Sequence, residues 1–172
     1  MIHQLLELST LEAQSYLENS HQFDLAACGR RQVSQLRSLA ESAEVTIESD
    51  IPKNLPFFGN EPLLGSAITQ LLENGIQFSP KEGIVFLSAT IHDDRIILSV
   101  RDQGNGIPDF AAKKAFERFY SFRSEERGKG NGLGLTFVQE VAELHQGKAR
   151  ISRLEEGGTE AAMELPVNLI FN

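Results

Sequence analysis

Asp102-Gln103-Gly104-Asn105-Gly106 and Gly130-Asn131-Gly132-Leu133-Gly134-Leu135 are the two glycine-rich turns that decide how this chain is interpreted. Both lie downstream of an amphipathic stretch that is predicted to end in Asn74. A carboxylate followed by glycines can accept a hydrogen bond from a base while the backbone comes close. A glycine-rich loop that opens a helix offers free N–H groups to phosphates. An Asn oxygen can help to hold Mg²⁺, because phosphates and water complete the octahedron. The pattern therefore predicts a nucleotide site.

The spacing of apolar residues predicts an α+β fold, a two-layer α/β sandwich. We expect three helices on one face of a mixed, mostly antiparallel sheet, plus an N-terminal helix. The helices are predicted over 25–42, 61–78 and 133–145, with Gly147 as the C′ residue of the last one and a short helix near 111–116. The strands are predicted over 45–48, 84–91, 95–101, 148–153 and 160–165.

Three further expectations concern the parts between these elements. Residues 19–22 are predicted to be a polar break. Pro52 and Pro56 predict a loop or a sheet edge. His145 is predicted to lie on the surface at the end of its helix.

The composition narrows the class of protein. The chain has 172 residues and a net charge of -8, which disfavours a nucleic-acid surface, because phosphate binding needs a concentrated basic face. Cys28 is the only cysteine, so a disulfide framework is excluded and a reducing cytoplasmic setting fits. No apolar run approaches the roughly 20 residues that span a bilayer. We expect a cytoplasmic fragment without membrane contact of its own, belonging to a longer protein anchored in the cell membrane.

Each motif also has a plain structural interpretation when it is taken alone. Asp, Gly and Asn all favour turns, and an Asn near a helix end usually makes local hydrogen bonds. Glu73 is interpreted as a solvated charge. The loop 130–135 is not a Rossmann turn, because no βαβ unit surrounds it, and no Lys-Ser/Thr pair closes it as a Walker A loop.

Taken in order, the motifs resemble the N, G1, F and G2 boxes of the sensor histidine kinase catalytic domain. Its ATP-binding fold is shared with DNA gyrase B, HSP90 and MutL. The four boxes are Gln70-Leu71-Leu72-Glu73-Asn74-Gly75-Ile76-Gln77-Phe78-Ser79-Pro80, Asp102-Gln103-Gly104-Asn105-Gly106-Ile107, Phe116-Glu117-Arg118-Phe119-Tyr120 and Gly130-Asn131-Gly132-Leu133-Gly134-Leu135. The resemblance covers about residues 22–168.

The resemblance implies that ATP and Mg²⁺ are the cofactors. It implies Asn74 and Gln70 as catalytic residues, with Asn74 as the metal ligand. The implied nucleotide-binding residues are Asn74, Gln77, Phe78, Asp102, Gly104, Gly106, Ile107, Phe119, Lys129, Gly130, Gly132, Leu133, Gly134 and Leu135. Three positions depart from the family pattern: Gln70 replaces an Asn, Gln77 replaces a Lys, and Gly75 replaces an Ala. Gln70 cannot act as a base at neutral pH.

The resemblance further implies transfer of the ATP γ-phosphoryl group to a histidine on a dimerisation helix that this chain lacks. Residues 1–20 are then the truncated end of the second dimerisation helix, although a simple packing helix is the other interpretation. Residues 22–172 are the ATP-binding domain, with a mobile lid over about 108–131. The implied partners are ATP, the receiver domain of a response regulator and, in the full-length protein, a second copy of the chain.

Three other functions share part of this pattern. A degenerate nucleotide-sensing module without catalysis is favoured to some extent by Gln70 and Gln77. An ATP-driven clamp like gyrase or MutL is disfavoured, because a catalytic Glu is missing at position 70. A serine kinase of the anti-sigma type shares the fold, but the N-terminal helix favours the histidine kinase.

Overall fold

A five-stranded mixed sheet covered by helices forms the body of the protein, and a two-stranded sheet lies beside it. The computed structural model describes residues 2–13, 17–121 and 132–167. The helices are α1 (Ile2–Ala13), α2 (Leu25–Gln35), α3 (Arg37–Ser42), α4 (Glu61–Phe78), α5 (Asp109–Ala112) and α6 (Gly134–Leu144). The strands are β1 (His21–Asp24), β2 (Thr46–Asp50), β3 (Pro56–Gly59), β4 (Ile84–His92), β5 (Arg95–Arg101), β6 (Lys148–Arg153) and β7 (Thr159–Pro166).

The large sheet has the strand order β2-β4-β5-β7-β6. Only the β2–β4 pair is parallel; the other three pairs are antiparallel. On β5, Ile96, Leu98 and Val100 lie at every second position and belong to the buried core. Helices α4 and α6 pack against this face of the sheet. The predicted two-layer α/β sandwich with a mostly antiparallel sheet is confirmed.

Helix α4 has the sharpest boundaries, and both follow from the local sequence. The Asn60 side chain caps the N-terminus by accepting a hydrogen bond from the Leu63 N–H at 3.0 Å, and Pro62 fits the first turn. The helix ends at Phe78, and Ser79 adopts an extended conformation before Pro80, as expected for a residue that precedes proline. The prediction of a helix over 61–78 is confirmed.

The N-terminal helix packs on the rest of the protein instead of standing apart from it. Leu8 and Leu11 of α1 are 2% and 4% exposed, and both belong to the same core as the sheet. Leu6, on another face of α1, is 62% exposed. Among the described residues, no helix is both long enough and apolar enough to cross a bilayer.

Two predictions about the first 60 residues are wrong. The predicted polar break contains the start of β1, which pairs antiparallel with β3, so that Phe23 lies opposite Phe57. The predicted helix over 25–42 is divided at Leu36, whose φ of -89° and ψ of 1° lie outside the helical region. The pairing of β1 with β3 joins segments distant in sequence, which the apolar spacing does not report.

Two predictions about the end of α6 are also wrong. The residue in the left-handed conformation is Gln146, with a φ of 58°, and Gly147 is the residue after it. The N–H of Gly147 donates to the Ala142 carbonyl at 2.8 Å, and the N–H of Gln146 donates to the Glu143 carbonyl at 2.9 Å, which is a Schellman cap. His145 is fully buried instead of lying on the surface.

Candidate nucleotide site

Helix α4 carries a polar stripe that faces a cavity of about 960 Å³. The stripe consists of Gln70, Glu73, Asn74 and Gln77, which follow the i, i+3, i+4, i+7 spacing of one helix face. All four side chains are half-buried and line the cavity. The apolar side of the same helix, including Leu71 and Leu72, lies in the core. One amphipathic helix therefore serves both the core and the cavity.

Asp102, which directly follows β5, lies in the cavity wall and is 8% exposed. Its Oδ1 accepts hydrogen bonds from the N–H groups of Gly104, at 2.8 Å, and Thr159, at 3.2 Å. Among the described residues no donor reaches Oδ2, so this oxygen is available to a ligand. Burial raises the pKa of Asp102, and the two N–H donors act in the opposite direction. The carboxyl group is thus held in place by backbone and can accept a bond from an amino group.

The glycines after Asp102 are required by close packing. A β-carbon on Gly104 would lie 2.3 Å from the Phe78 carbonyl oxygen, at the end of α4. Gly106 has a φ of +77°, and a β-carbon there would lie 2.8 Å from Cγ of Arg153. No side chain fits at either position without displacing its neighbours. The turn therefore lies tightly between α4 and the end of β6.

The second glycine-rich turn is described from Gly132 onward. Gly132 has a φ of +70°, and its carbonyl oxygen accepts a hydrogen bond from the Phe119 N–H at 3.0 Å. The Thr136 hydroxyl on α6 donates to the Phe116 carbonyl at 3.0 Å. A β-carbon on Gly134 would lie 2.7 Å from Oε1 of Gln70. The N-terminus of α6 thus lies beside the polar stripe of α4, and its free N–H groups suit an anion.

Most of the predicted site residues meet in this one cavity. Its walls include Gln70, Asn74, Gln77, Phe78, Asp102, Gly104, Gly106, Ile107, Gly132, Gly134 and Leu135. Leu133 is 2% exposed and belongs to the core instead, as the residue that precedes α6. Phe119 is 62% exposed and does not line the cavity. Lys129 and Gly130, with much of the predicted lid, lie outside the described residues.

Residues that the sequence analysis did not assign to the site also line the cavity, among them Glu73, Thr159 and Arg153. The interpretation of Glu73 as a solvated charge is wrong, because burial raises the pKa of this half-buried carboxyl. Its spacing from Gln70 and Gln77 is the signal that could have placed it. Thr159 and Arg153 reach the cavity through strand register, for which the sequence gives no comparable signal.

The residues present fit a magnesium ion that is held mainly by nucleotide phosphates. The Asn74 side chain is half-buried, lines the cavity and makes no hydrogen bond to the described residues. Within 2–13, 17–121 and 132–167, no group of three or more His, Cys, Asp or Glu side chains could hold a metal by itself. An Asn oxygen with phosphates and water matches what Mg²⁺ requires.

The sheet order, the polar stripe on α4 and the carboxylate that starts the first glycine-rich turn are together typical of an ATP-binding domain. Residues 59–169 match the model of the histidine kinase-, DNA gyrase B-, and HSP90-like ATPase family, and the chain belongs to this family. The resemblance inferred from the four motifs is thereby confirmed.

The named relatives that the chain resembles are sensor proteins and sensor histidine kinases. It is 38% identical over 164 residues to the sensor protein CreC of Escherichia coli, and 32% identical over 169 residues to the sensor-like histidine kinase SenX3 of Mycobacterium bovis. These matches cover 92% and 96% of this chain but only 34% and 41% of the relatives. The mycobacterial sensor histidine kinase MprB has a solved structure that superposes with a TM-score of 0.74 at 26% identity. That match covers 85% of this chain and 96% of MprB's. The chain is therefore similar, over most of its length, to the part of these sensor kinases that contains the ATPase-family domain.

Proposed function

We propose that the chain binds Mg-ATP in the α4 cavity, with the adenine at Asp102 and the phosphates between Asn74 and the N-terminus of α6. The observation that carries this proposal is the Asp102 carboxylate, fixed by two backbone N–H groups and with one oxygen left for a ligand. An adenine amino group is the matching donor. Guanine presents a carbonyl oxygen at the corresponding position and is therefore disfavoured.

Asn74 is proposed to contribute the protein oxygen to Mg²⁺, and Gln70 to orient water or metal next to it. The bound ion would neutralise phosphate charge. The free N–H groups at the start of α6 would act on the same phosphates. A β-carbon at Gly134 would crowd Gln70, which supports close approach of the α6 turn to the polar stripe.

We further propose that, in the longer protein, the γ-phosphoryl group passes to a histidine on a dimerisation helix. The lone pair of an imidazole nitrogen attacks the γ-phosphorus, and an N–P bond forms. The bond from that phosphorus to the bridging oxygen breaks, ADP leaves with its electron pair, and the imidazolium proton passes to water. Such transfer depends mostly on positioning and charge neutralisation.

The remaining partners follow from the same proposal. A receiver domain of a response regulator would accept the phosphoryl group, and the longer protein would act as a homodimer anchored in a membrane. Residues 1–20 would be the end of the second dimerisation helix. The chain spans about a third to two fifths of the relatives described above, so these partners belong to the longer protein.

Titration calorimetry with ATP and GTP, each with Mg²⁺, tests the nucleotide assignment. We expect a dissociation constant for ATP on the order of micromolar to millimolar, and at least tenfold weaker binding of GTP, about 1.4 kcal/mol. Asp102→Asn should remove most of that preference. Asp93→Asn is the matched control, since Asp93 lies in the exposed β4–β5 turn. Equal affinity of the wild type for ATP and GTP would refute the assignment.

Phosphotransfer is tested by adding a separate dimerisation domain that carries an acceptor histidine to this chain with γ-labelled ATP. We expect acid-labile label on the acceptor and none on this chain, because none of its four histidines lies in an acceptor-like motif. An acceptor with its histidine changed to Gln should stay unlabelled. ATP binding without any label on the acceptor would contradict the catalytic proposal and leave a nucleotide-sensing module.

A further inference from the structure

Arg153, the last residue of the edge strand β6, is a cation of the cavity wall without an assigned role. Its side chain is exposed, and among the described residues it has neither a hydrogen bond nor an ion pair. Lys81 also lines the cavity, but it is paired with Glu44. Arg153 is therefore the cation at this end of the described cavity wall that has no protein partner.

The strand register places Arg153 in the same row as Asp102. Arg153 lies opposite Thr159 on β7, and Thr159 accepts a hydrogen bond from the Asp102 N–H at 3.0 Å. Two strand spacings separate Arg153 from Asp102, or about 10 Å between Cα atoms. That separation leaves room for a base between the carboxylate and the guanidinium.

The orientation of the Arg153 side chain follows from the pleat. Ile151 lies two residues earlier, on the same side of β6, and lines the cavity together with its cross-strand partner Ala161. Arg153 thus extends on the cavity side of the sheet, beside an apolar floor. A flat apolar ring can rest on that floor.

The contact with Gly106 places the guanidinium at the carboxylate end of the cavity. A β-carbon on Gly106 would lie 2.8 Å from Cγ and 3.1 Å from Nε of Arg153, so the arginine stem lies against this glycine. Gly106 belongs to the turn that starts at Asp102, whereas Asn74 and Gly134 lie on the proposed phosphate side. The cation is thus directed at the nucleoside.

We propose that Arg153 is an affinity-determining contact to the nucleoside, with its guanidinium packed on the purine ring whose amino group bonds Asp102. This inference rests on the proposed function of the cavity. A guanidinium is planar and weakly hydrated, and it stacks on aromatic faces better than an ammonium group does. Gly106 leaves the space that the arginine occupies.

The experiment compares adenosine, ADP and ATP as ligands of the wild type, Arg153→Ala and Arg153→Lys. Affinities are measured by calorimetry, with displacement of ATP for the weakest ligand. We expect Arg153→Ala to weaken all three ligands by the same factor, about three- to tenfold. Arg153→Lys should recover only part of the loss, equally for all three. Arg95→Ala is the matched control, because it removes the same charge at the far end of β5 and should leave all affinities unchanged.

The way in which the loss of affinity depends on the number of phosphates distinguishes a contact to the base from a contact to phosphate. A loss that grows from adenosine to ATP, or that Arg153→Lys restores fully, would mean that Arg153 acts on phosphate as a charge, and the inference would be overturned. Unchanged affinity in Arg153→Ala would overturn it as well, while the proposed function would stand. A wild type that binds none of the three ligands would overturn the proposed function together with this inference.

Discussion

Acidification from about pH 8 to about pH 5.5 is expected to destabilise the folded chain through His145. This residue is fully buried at the end of α6. Its Nδ1 donates to the Val141 carbonyl oxygen at 2.7 Å, and its Nε2 accepts from the Asn60 N–H at 3.0 Å. These two bonds require the neutral ring with its proton on Nδ1. A proton added to Nε2 would face the Asn60 N–H, and that bond would be lost.

The sign and size of the effect follow from linkage. Burial lowers the pKa of His145 from its ordinary value of 6.5, and the bond to the Val141 carbonyl acts in the opposite direction. The unfolded chain therefore takes up the proton first. The stabilisation is complete above pH 6.5 and is lost as the pH falls from there towards the folded-state pKa. Between the two pKa values, the free energy of unfolding falls by up to about 1.4 kcal/mol per pH unit. This corresponds to a decrease in Tm of roughly 3–5 °C per pH unit for a chain of this size.

Urea unfolding of the wild type and His145→Gln across this pH range isolates the contribution. At pH 8 the substitution should lower the free energy of unfolding by about 2–4 kcal/mol, because it disturbs two buried hydrogen bonds. The difference between the two proteins should narrow below pH 6.5, since other titrating groups cancel in it. His92→Gln, at the exposed end of β4, is the matched control for the loss of a histidine. A constant difference between wild type and His145→Gln would refute the reasoning.

Three further predictions concern the site and the sheet. Gly158→Ala should lower the free energy of unfolding by about 3 kcal/mol or more, because the φ of Gly158 is +90° and a β-carbon there would lie 2.0 Å from the Asp102 carbonyl oxygen. Gly157 has a φ of +97° and open space around it, so Gly157→Ala should lower the same free energy, measured by thermal unfolding, by only about 1–2 kcal/mol. Asn74→Ala should abolish the Mg²⁺ dependence of ATP binding in calorimetry, yet shift the Tm by less than about 2 °C, because the side chain has no partner among the described residues. Glu160→Gln should cost about 1–2 kcal/mol at pH 7. Burial raises the pKa of Glu160, but hydrogen bonds from two guanidiniums outweigh it and leave a lowered value. The wild-type advantage should therefore persist above pH 4.5 and shrink as the pH falls through the folded-state pKa. An advantage that stays constant as the pH falls below 4.5 would contradict this.

The site was largely predictable because its chemistry is local in sequence. The polar stripe around Asn74 lies on one helix, and helical spacing alone brings Gln70 and Gln77 to the same face. Asp102 and its glycines form one turn. Because each motif is short and its local conformation follows from its own residues, the order of the motifs was sufficient to predict one nucleotide site.

Several of the errors lie where segments distant in sequence meet. His145 looked like an exposed polar residue at a helix end, but Asn60 and Phe57, from segments far earlier in the chain, enclose it. Arg153 and Thr159 reach the cavity through pairing between β5, β7 and β6, and no short pattern specifies that register. Packing between distant segments overrides local propensity at such positions.

The departure at Gly75 shows the same effect on a smaller scale. A β-carbon there would lie 2.9 Å from Cγ1 of Val85 and 3.1 Å from Cγ1 of Val100. The two valines occupy the space in which an alanine methyl group would lie. The glycine is thus explained by the strands below α4, and Asn74 next to it keeps its place on the cavity side.

The contacts of the glycines around Asp102 support the proposal that this turn recognises a base. A β-carbon on Gly104 would clash with the Phe78 carbonyl, one on Gly106 with the Arg153 side chain, and one on Gly158 with the Asp102 carbonyl. Glycines packed in this way bring the backbone close enough for two N–H groups to fix one carboxylate oxygen, which leaves the other directed at a ligand. The same residues that loosen an isolated turn therefore fix this one in the folded protein. A larger side chain at any of them should weaken binding by displacing the carboxylate, even where the chain still folds.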